Sequence, residues 1–278
     1  PEALAGTVAG VEGLDDLEPG PTPIVAPEMN GTAGRHYLAP DDIATIYNIN
    51  AAYKAGLDGA GQKVAVVGTS AVDVADITAF RTKFNLPAMD LQTVLVPNYP
   101  NPGINKGSLP EADLDIEWSG AVARKATIIY VYSTSALTAV RHVIDQKLAP
   151  VVSRSFSVVC EKDYIPEYYG SVLQYQTLAQ QAAVQGITWV NSSGDSGAAG
   201  CDVNSSSIAQ NGLGVRFPQS VPEVTAVGGT QFNEGSGSYW AAANDANSAS
   251  ALSYIPETVW NDASAGHGIL AGGGGVSA

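Results

Sequence analysis

Two carboxylates four residues apart, Glu111 and Asp115 in the run EADLDIEW, would share one face of a helix, one turn from each other. Like charges so placed cost stability, and the chemistry that would use them is general-base catalysis, with one carboxylate taking a proton while the second orients it. Plain solvation of helix acids is the alternative, and the nearby Asp113 and Glu117 read that way. A third acid, Asp195, stands in SSGDSGAAGC, residues 192–201. Ahead of it GITWVN, residues 186–191, is a short apolar run of the kind buried on both faces of a parallel sheet. Glycines at 194, 197 and 200 let the backbone turn sharply and come close to a ligand. Asp195 would then sit at the C-terminal end of a strand, where open α/β sheets bind their ligands. A turn without chemistry is the alternative there.

Two other chemistries suit parts of this set. The letters GDSG resemble the serine loop of trypsin-like peptidases, which would make Ser196 a nucleophile in need of a histidine base. Only His36, His142 and His267 are available, none in that family's Ala-His-Cys setting, and the chain alternates strands and helices where that fold is all-β. Glycoside hydrolysis uses two carboxyl groups roughly 5 to 9.5 Å apart, and Glu111 with Asp195 would serve. The acids lack clustered aromatics for a sugar platform, although Trp118 and Trp189 lie nearby in sequence.

The elements that must carry these acids follow a regular order. LAPDDIATIYNI (38–49) places Pro40 and two aspartates at a helix start, and the folded domain begins about there. Strands are predicted at 63–68, 92–97, 127–132, 150–155, the run before Asp195, and 223–229. Between them, helical spacing covers 74–84, the acid run behind Pro110, 136–146 and 172–184. Strands alternating with helices of this length predict an α/β fold with a mostly parallel sheet covered on both faces. Residues 230–278 read as loop-rich, ending in AGGGGVSA, which lacks the Lys and the helix of a phosphate loop.

Composition narrows the functions. Hydrophobic residues at 45% and charged residues at 14% exclude a disordered chain. A net charge of -14 argues against nucleic acid, whose phosphates it would repel. With a sequence pI near 4.4, self-repulsion is least in acid, which suits an acid-adapted secreted protein. No apolar run is long enough to span a bilayer, so no membrane partner is expected. Cys160 and Cys201 each follow a predicted strand end; a disulfide between them would imply an oxidising compartment, and two free thiols are the alternative.

Taken together, LAPDDIATIYNI, GQKVAVVGTSAVDVADITAFR, EADLDIEW, SSGDSGAAGC, FPQSVPEVTAVGGT, SYIPETVWN and GGGGVSA resemble, in order, the motifs of the sedolisins, or serine-carboxyl peptidases. The resemblance implies a subtilisin-like three-layer α/β fold with its C-terminal part missing. Glu111 then matches the general base, Asp115 the acid that orients it, and Asp195 the aspartate of the oxyanion site. Ser155, Phe156 and Ser157 in SRSFS match an edge that pairs with substrate backbone, and the resemblance implies a substrate-binding role for Ser193 and Gly194 as well. Ser157 stands where glycine is common in the family and would narrow the cleft. The family's nucleophilic serine lies in a Gly-Thr-Ser motif after the segment matching GGGGVSA, and its calcium loop lies further on. The resemblance therefore implies a companion segment beyond Ala278 that carries the serine and the calcium ligands, with no metal ligand in this chain. Residues 1–35 match the end of an inhibitory propeptide and its linker, and 36–278 the N-terminal portion of the peptidase domain. The implied whole is a secreted, zymogen-derived hydrolase of protein and peptide substrates. Its rate should follow a bell centred at roughly pH 3 to 5. A catalytically inactive fragment or a binding module on the same scaffold is the competing expectation.

Overall fold

The computed structural model describes residues 37–157, 160–162, 169–202, 207–263 and 267–277. The propeptide end and linker expected over 1–35 lie outside these residues. The chain begins with two short helices, α1 (Pro40–Ile46) and α2 (Ile49–Lys54), where a single helix over 38–49 is expected. The break falls at Asn48, whose φ of 55° is left-handed and cannot continue a right-handed helix.

From β1 (Lys63–Gly68) onward the expected alternation holds. It continues through α3 (Val74–Lys83), β2 (Asp90–Leu95), α4 (Leu109–Val122), β3 (Thr127–Tyr132) and α5 (Ala136–Asp145). Then come β4 (Val151–Arg154), α6 (Tyr169–Val184), β5 (Thr188–Ser192) and β6 (Val224–Val227). All six strands run parallel in the order β2-β3-β1-β4-β5-β6. In-register pairs such as Ala65 with Ile129 and Val152 with Trp189 align the strand ends.

Alternation along each strand builds two separate cores. Ala65, Val67, Ile129, Val131, Val152 and Trp189 face one side, where α5 and α6 cover them. Val66, Ile128 and Tyr130 face the other, against Ile77 of α3 and Ala112 and Ile116 of α4. The uninterrupted apolar runs of β1 and β3 are thus explained by burial on both faces. This is the α/β, mostly parallel fold predicted.

The C-terminal stretch is loop-rich, as expected, with one short strand pair in it. Within it, β7 (Thr230–Phe232) and β8 (Glu257–Val259) form an antiparallel pair. Three-residue strands carry too little periodicity to stand out in sequence. The glycine run after Leu270 also has a firm place. Gly273 N donates to the Gly194 carbonyl at 2.7 Å, Ala271 N to that of Asp195 at 3.0 Å, and Gly197 N to the Ala271 carbonyl at 2.9 Å. A Cβ on Gly273 would lie 2.1 Å from the Ser193 carbonyl oxygen, so only glycine permits this approach. Among the described residues no helix is long and apolar enough to cross a membrane.

Candidate active site

The site forms at the C-terminal ends of β4 and β5, against the first half of α4. Helix α4 starts where it does because the loop after β1 anchors it. Thr69 Oγ1 donates to Ser108 Oγ at 3.0 Å, Asn105 N donates to Ser70 Oγ at 2.8 Å, and Pro110 occupies the first turn. Glu111 and Asp115 follow on one face, as their spacing predicts.

Burial dominates both carboxyl groups. It raises Glu111 above the ordinary carboxylate range, opposed by the Ser155 hydroxyl and reinforced by charge on Asp195. Asp115 is pushed up to about 8, by burial first and then by charge on Glu111, again opposed by Ser155. Ser155 Oγ donates to Asp115 Oδ1 at 2.9 Å. Two like carboxyl groups sharing one hydroxyl cannot both ionise cheaply, so Asp115 holds its proton while Glu111 ionises first.

Asp195 arrives by the sharp turn its glycines permit, with φ of 97° at Gly194 and 54° at Gly197. Its carboxyl is raised by burial and pulled back by the guanidinium of Arg216. The structure therefore brings all three predicted acids to one place, since charge on Asp195 is felt at Glu111.

The remaining predicted residues divide. Ser155 turns its side chain to Asp115, so its hydroxyl serves the acid pair. Phe156 is buried, and its carbonyl already accepts from Arg154 Nη1 and, at 3.1 Å, from Asn191 Nδ2. The Gly194 carbonyl is taken by Gly273, and Ser193 N donates to the Val227 carbonyl at 2.8 Å. Ser157 Oγ accepts from Gln219 Nε2 at 3.0 Å. Cys160 and Cys201 are joined by a disulfide with Cα atoms 4.4 Å apart. It pins the loop after Asp195 to the segment beyond Ser157, and residues 160–161 also pair with 215–216 through their backbones.

Other placements revise the sequence reading. Asp113 and Glu117 are not freely solvated: burial, then charge from Asp76 and other acids across α3 and α4, pushes them up to about 6 and about 7. The two tryptophans that favoured a sugar platform are committed elsewhere. Trp189 is 1% exposed inside the core, and Trp118 meets Phe80 edge-on at 6.0 Å. Sequence reasoning passed over Arg216. Its Nη2 donates to Ser196 Oγ and to the Asp202 carbonyl, each at 3.1 Å, and its Cδ lies 2.8 Å from where a Cβ on Gly194 would stand. No local motif marks a residue 21 positions from the acid it faces; its one signal is being a cation in an acid-rich chain. Gln219 was passed over for the same reason. Among the described residues no group of three or more His, Cys, Asp or Glu is arranged to hold a metal ion.

No family model matches the chain. It is 24% identical over 257 residues to tripeptidyl-peptidase sed4 of Aspergillus fumigatus, an alignment covering 82% of this chain and 38% of that protein. It is 27% identical over 291 residues to sedolisin of Pseudomonas sp. (strain 101), covering 99% and 46%. The chain thus spans less than half the length of these curated relatives. In fold it matches Pseudomonas sedolisin, a serine-carboxyl proteinase solved in complex with two molecules of pseudo-iodotyrostatin. The TM-score is 0.59 at 22% identity, with 83% of this chain and 64% of that one covered. In the order of its motifs, its parallel-sheet fold and its two curated relatives, the chain is similar to the sedolisins.

Proposed function

We propose that this chain supplies the carboxyl machinery of an acid-acting, secreted serine endopeptidase, with the nucleophilic serine contributed from outside these 278 residues. The observation that carries the reading is the meeting of Glu111, Asp115 and Asp195 at the sheet edge, each raised by burial. In the proposed mechanism ionised Glu111 takes the serine proton as the hydroxyl attacks the peptide carbonyl, and later returns it to the leaving amine. Asp115, protonated, donates to the Glu111 carboxylate and orients it. Asp195, also protonated, donates to the oxyanion as it develops. Water then releases the acyl group by the same steps.

The pH dependence follows with its sign. Rate rises as Glu111 ionises and falls as Asp195 loses its proton. Burial moves both limbs upward from the free-carboxylate range, and the bell exists because Asp195 must keep its proton to a higher pH than Glu111 in this mechanism. Secretion is supported by the disulfide, which persists in oxidising compartments. Protein or peptide substrates and a companion segment bearing the serine belong to the same proposal, as does the propeptide reading of 1–35. Calcium remains an expectation for that companion segment, and no step here uses it.

The test is hydrolysis of an internally quenched peptide by the full-length protein between pH 2 and 8, for wild type, Glu111→Gln and Asp195→Asn. We expect an acid optimum, a loss of at least about 10²-fold in kcat on removing the base, and an alkaline limb moved upward in Asp195→Asn, since an amide donates at every pH. A neutral optimum, or equal small effects at both positions, would refute the mechanism. No hydrolysis at any pH leaves the scaffold as an inactive or binding module.

A further inference from the structure

Backbone pairing between β4 and β5 ends where Arg154 stands opposite Asn191. The chain runs on as residues 155–157 on one side, which in sequence match a substrate-pairing edge, and 192–195 on the other, which carry the proposed oxyanion donor Asp195. Side chains take over where the ladder stops. Asn191 Nδ2 reaches the Phe156 carbonyl at 3.1 Å. One step further out, Gln219 Nε2 donates both to Ser157 Oγ at 3.0 Å and to the Ser193 carbonyl at 3.1 Å. Chemistry fixes the orientation of that amide, because the Ser193 carbonyl can only accept and so must face the nitrogen. Gln219 is 8% exposed and Ser193 9%, so the bond to the Ser193 carbonyl is made away from water, where losing the donor strands a buried acceptor.

We propose that Gln219 is a positioning residue for the cleft: its amide bridges the splayed ends of β4 and β5 and sets the spacing between the 155–157 edge and the loop that carries Asp195. The inference rests on the peptidase reading of the site. A substrate lying along one edge must present its carbonyl carbon to groups held on the other, and an error of about 1 Å in such a placement costs up to about 10²-fold in rate. Ser157 belongs to the same device. Where a glycine would leave this edge without a hydroxyl, Ser157 supplies the acceptor that holds the bridge at its outer end.

The experiment compares kcat/KM on a quenched peptide for the full-length wild type, Gln219→Ala and Gln219→Glu from pH 2.5 to 7. A protonated carboxylic acid can donate to the Ser193 carbonyl and accept from the Ser157 hydroxyl, so both links survive; an ionised one has no donor and opposes that carbonyl. Gln219→Ala should lose about 10- to 100-fold at every pH. Gln219→Glu should stay close to wild type near pH 3, and its ratio to wild type should fall as the pH passes a buried glutamate's pKa, above the ordinary value of about 4.3. A ratio independent of pH, or Gln219→Ala equal to wild type, overturns the proposal. Should Gln219→Ala fail to fold, the ratio for Gln219→Glu decides alone. A wild type that cleaves nothing refutes the peptidase reading instead. The bridge is then judged by hydrogen exchange at amides 155–157 and 193–195: faster exchange in either variant supports it, and unchanged rates remove it.

Discussion

Arg216 works against the donor role proposed for Asp195. Burial holds a proton on that carboxyl, while the guanidinium beside it favours the charged form. The burden falls on Arg216 as well, since burial lowers its own affinity for a proton and charge on Asp195 restores it. The cation therefore trims the upper end of the pH window. Arg216→Gln is expected to move the alkaline limb of kcat/KM upward and leave the acid limb, set by Glu111, in place. A limb that stays where it is, measured on the full-length protein, would show that Arg216 acts only through Ser196 and the Asp202 carbonyl, which its Nη2 holds at 3.1 Å.

At the scale of an element, α4 is an acid helix with a stability cost that depends on pH. Asp113, Glu117 and Asp115 are raised to about 6, about 7 and about 8, each chiefly by burial. A carboxyl that binds its proton more tightly folded than unfolded adds stability that is complete below its ordinary pKa and lost as pH rises through the folded value. For these groups the loss therefore begins near their ordinary values, about pH 4, and is complete by about pH 8. Asp73 and Asp76 of the facing helix start deepen it, because their charges oppose ionisation of Asp113. Combining Asp113→Asn with Glu117→Gln should raise the urea midpoint at pH 7.5 and change it little at pH 3. An equal gain at both pH values would point to helix propensity and away from titration. The helix is thus suited to acid independently of catalysis.

Over the whole molecule, long-range ties hold the site's edges together. The Cys160–Cys201 disulfide closes a separation of 41 residues. Chain-entropy arguments give a cross-link of that span about 4 kcal/mol. Replacing both cysteines by serine should lower the unfolding free energy by up to that amount in urea at fixed pH, and a change below about 1 kcal/mol would show that native contacts already order the loop. A second long-range tie is made by buried Asp42, which accepts from Ala39 N at 2.8 Å and from Ser250 N and Ala251 N at 2.6 Å each. One carboxylate thereby caps α1 and fastens a loop more than 200 residues away.

Sequence alone determined what neighbouring residues decide. Apolar runs of strand length set the six parallel strands, a four-residue spacing put Glu111 and Asp115 on one helix face, and glycines at 194 and 197 marked the turn that presents Asp195. These are local periodicities and local backbone demands, legible because a few adjacent side chains impose them. Tertiary structure alone decided which distant groups meet. Ser157 and Gln219 are 62 residues apart, and Arg216 reaches Ser196 in the Asp195 loop across 20 residues of chain. The final glycine run reads as a loose end in sequence, yet it lies along that loop because only a residue without a side chain can pass the Ser193 carbonyl. No spacing rule encodes such contacts. They are set by how the sheet brings strand ends together, and at those ends burial decides which acids keep their protons.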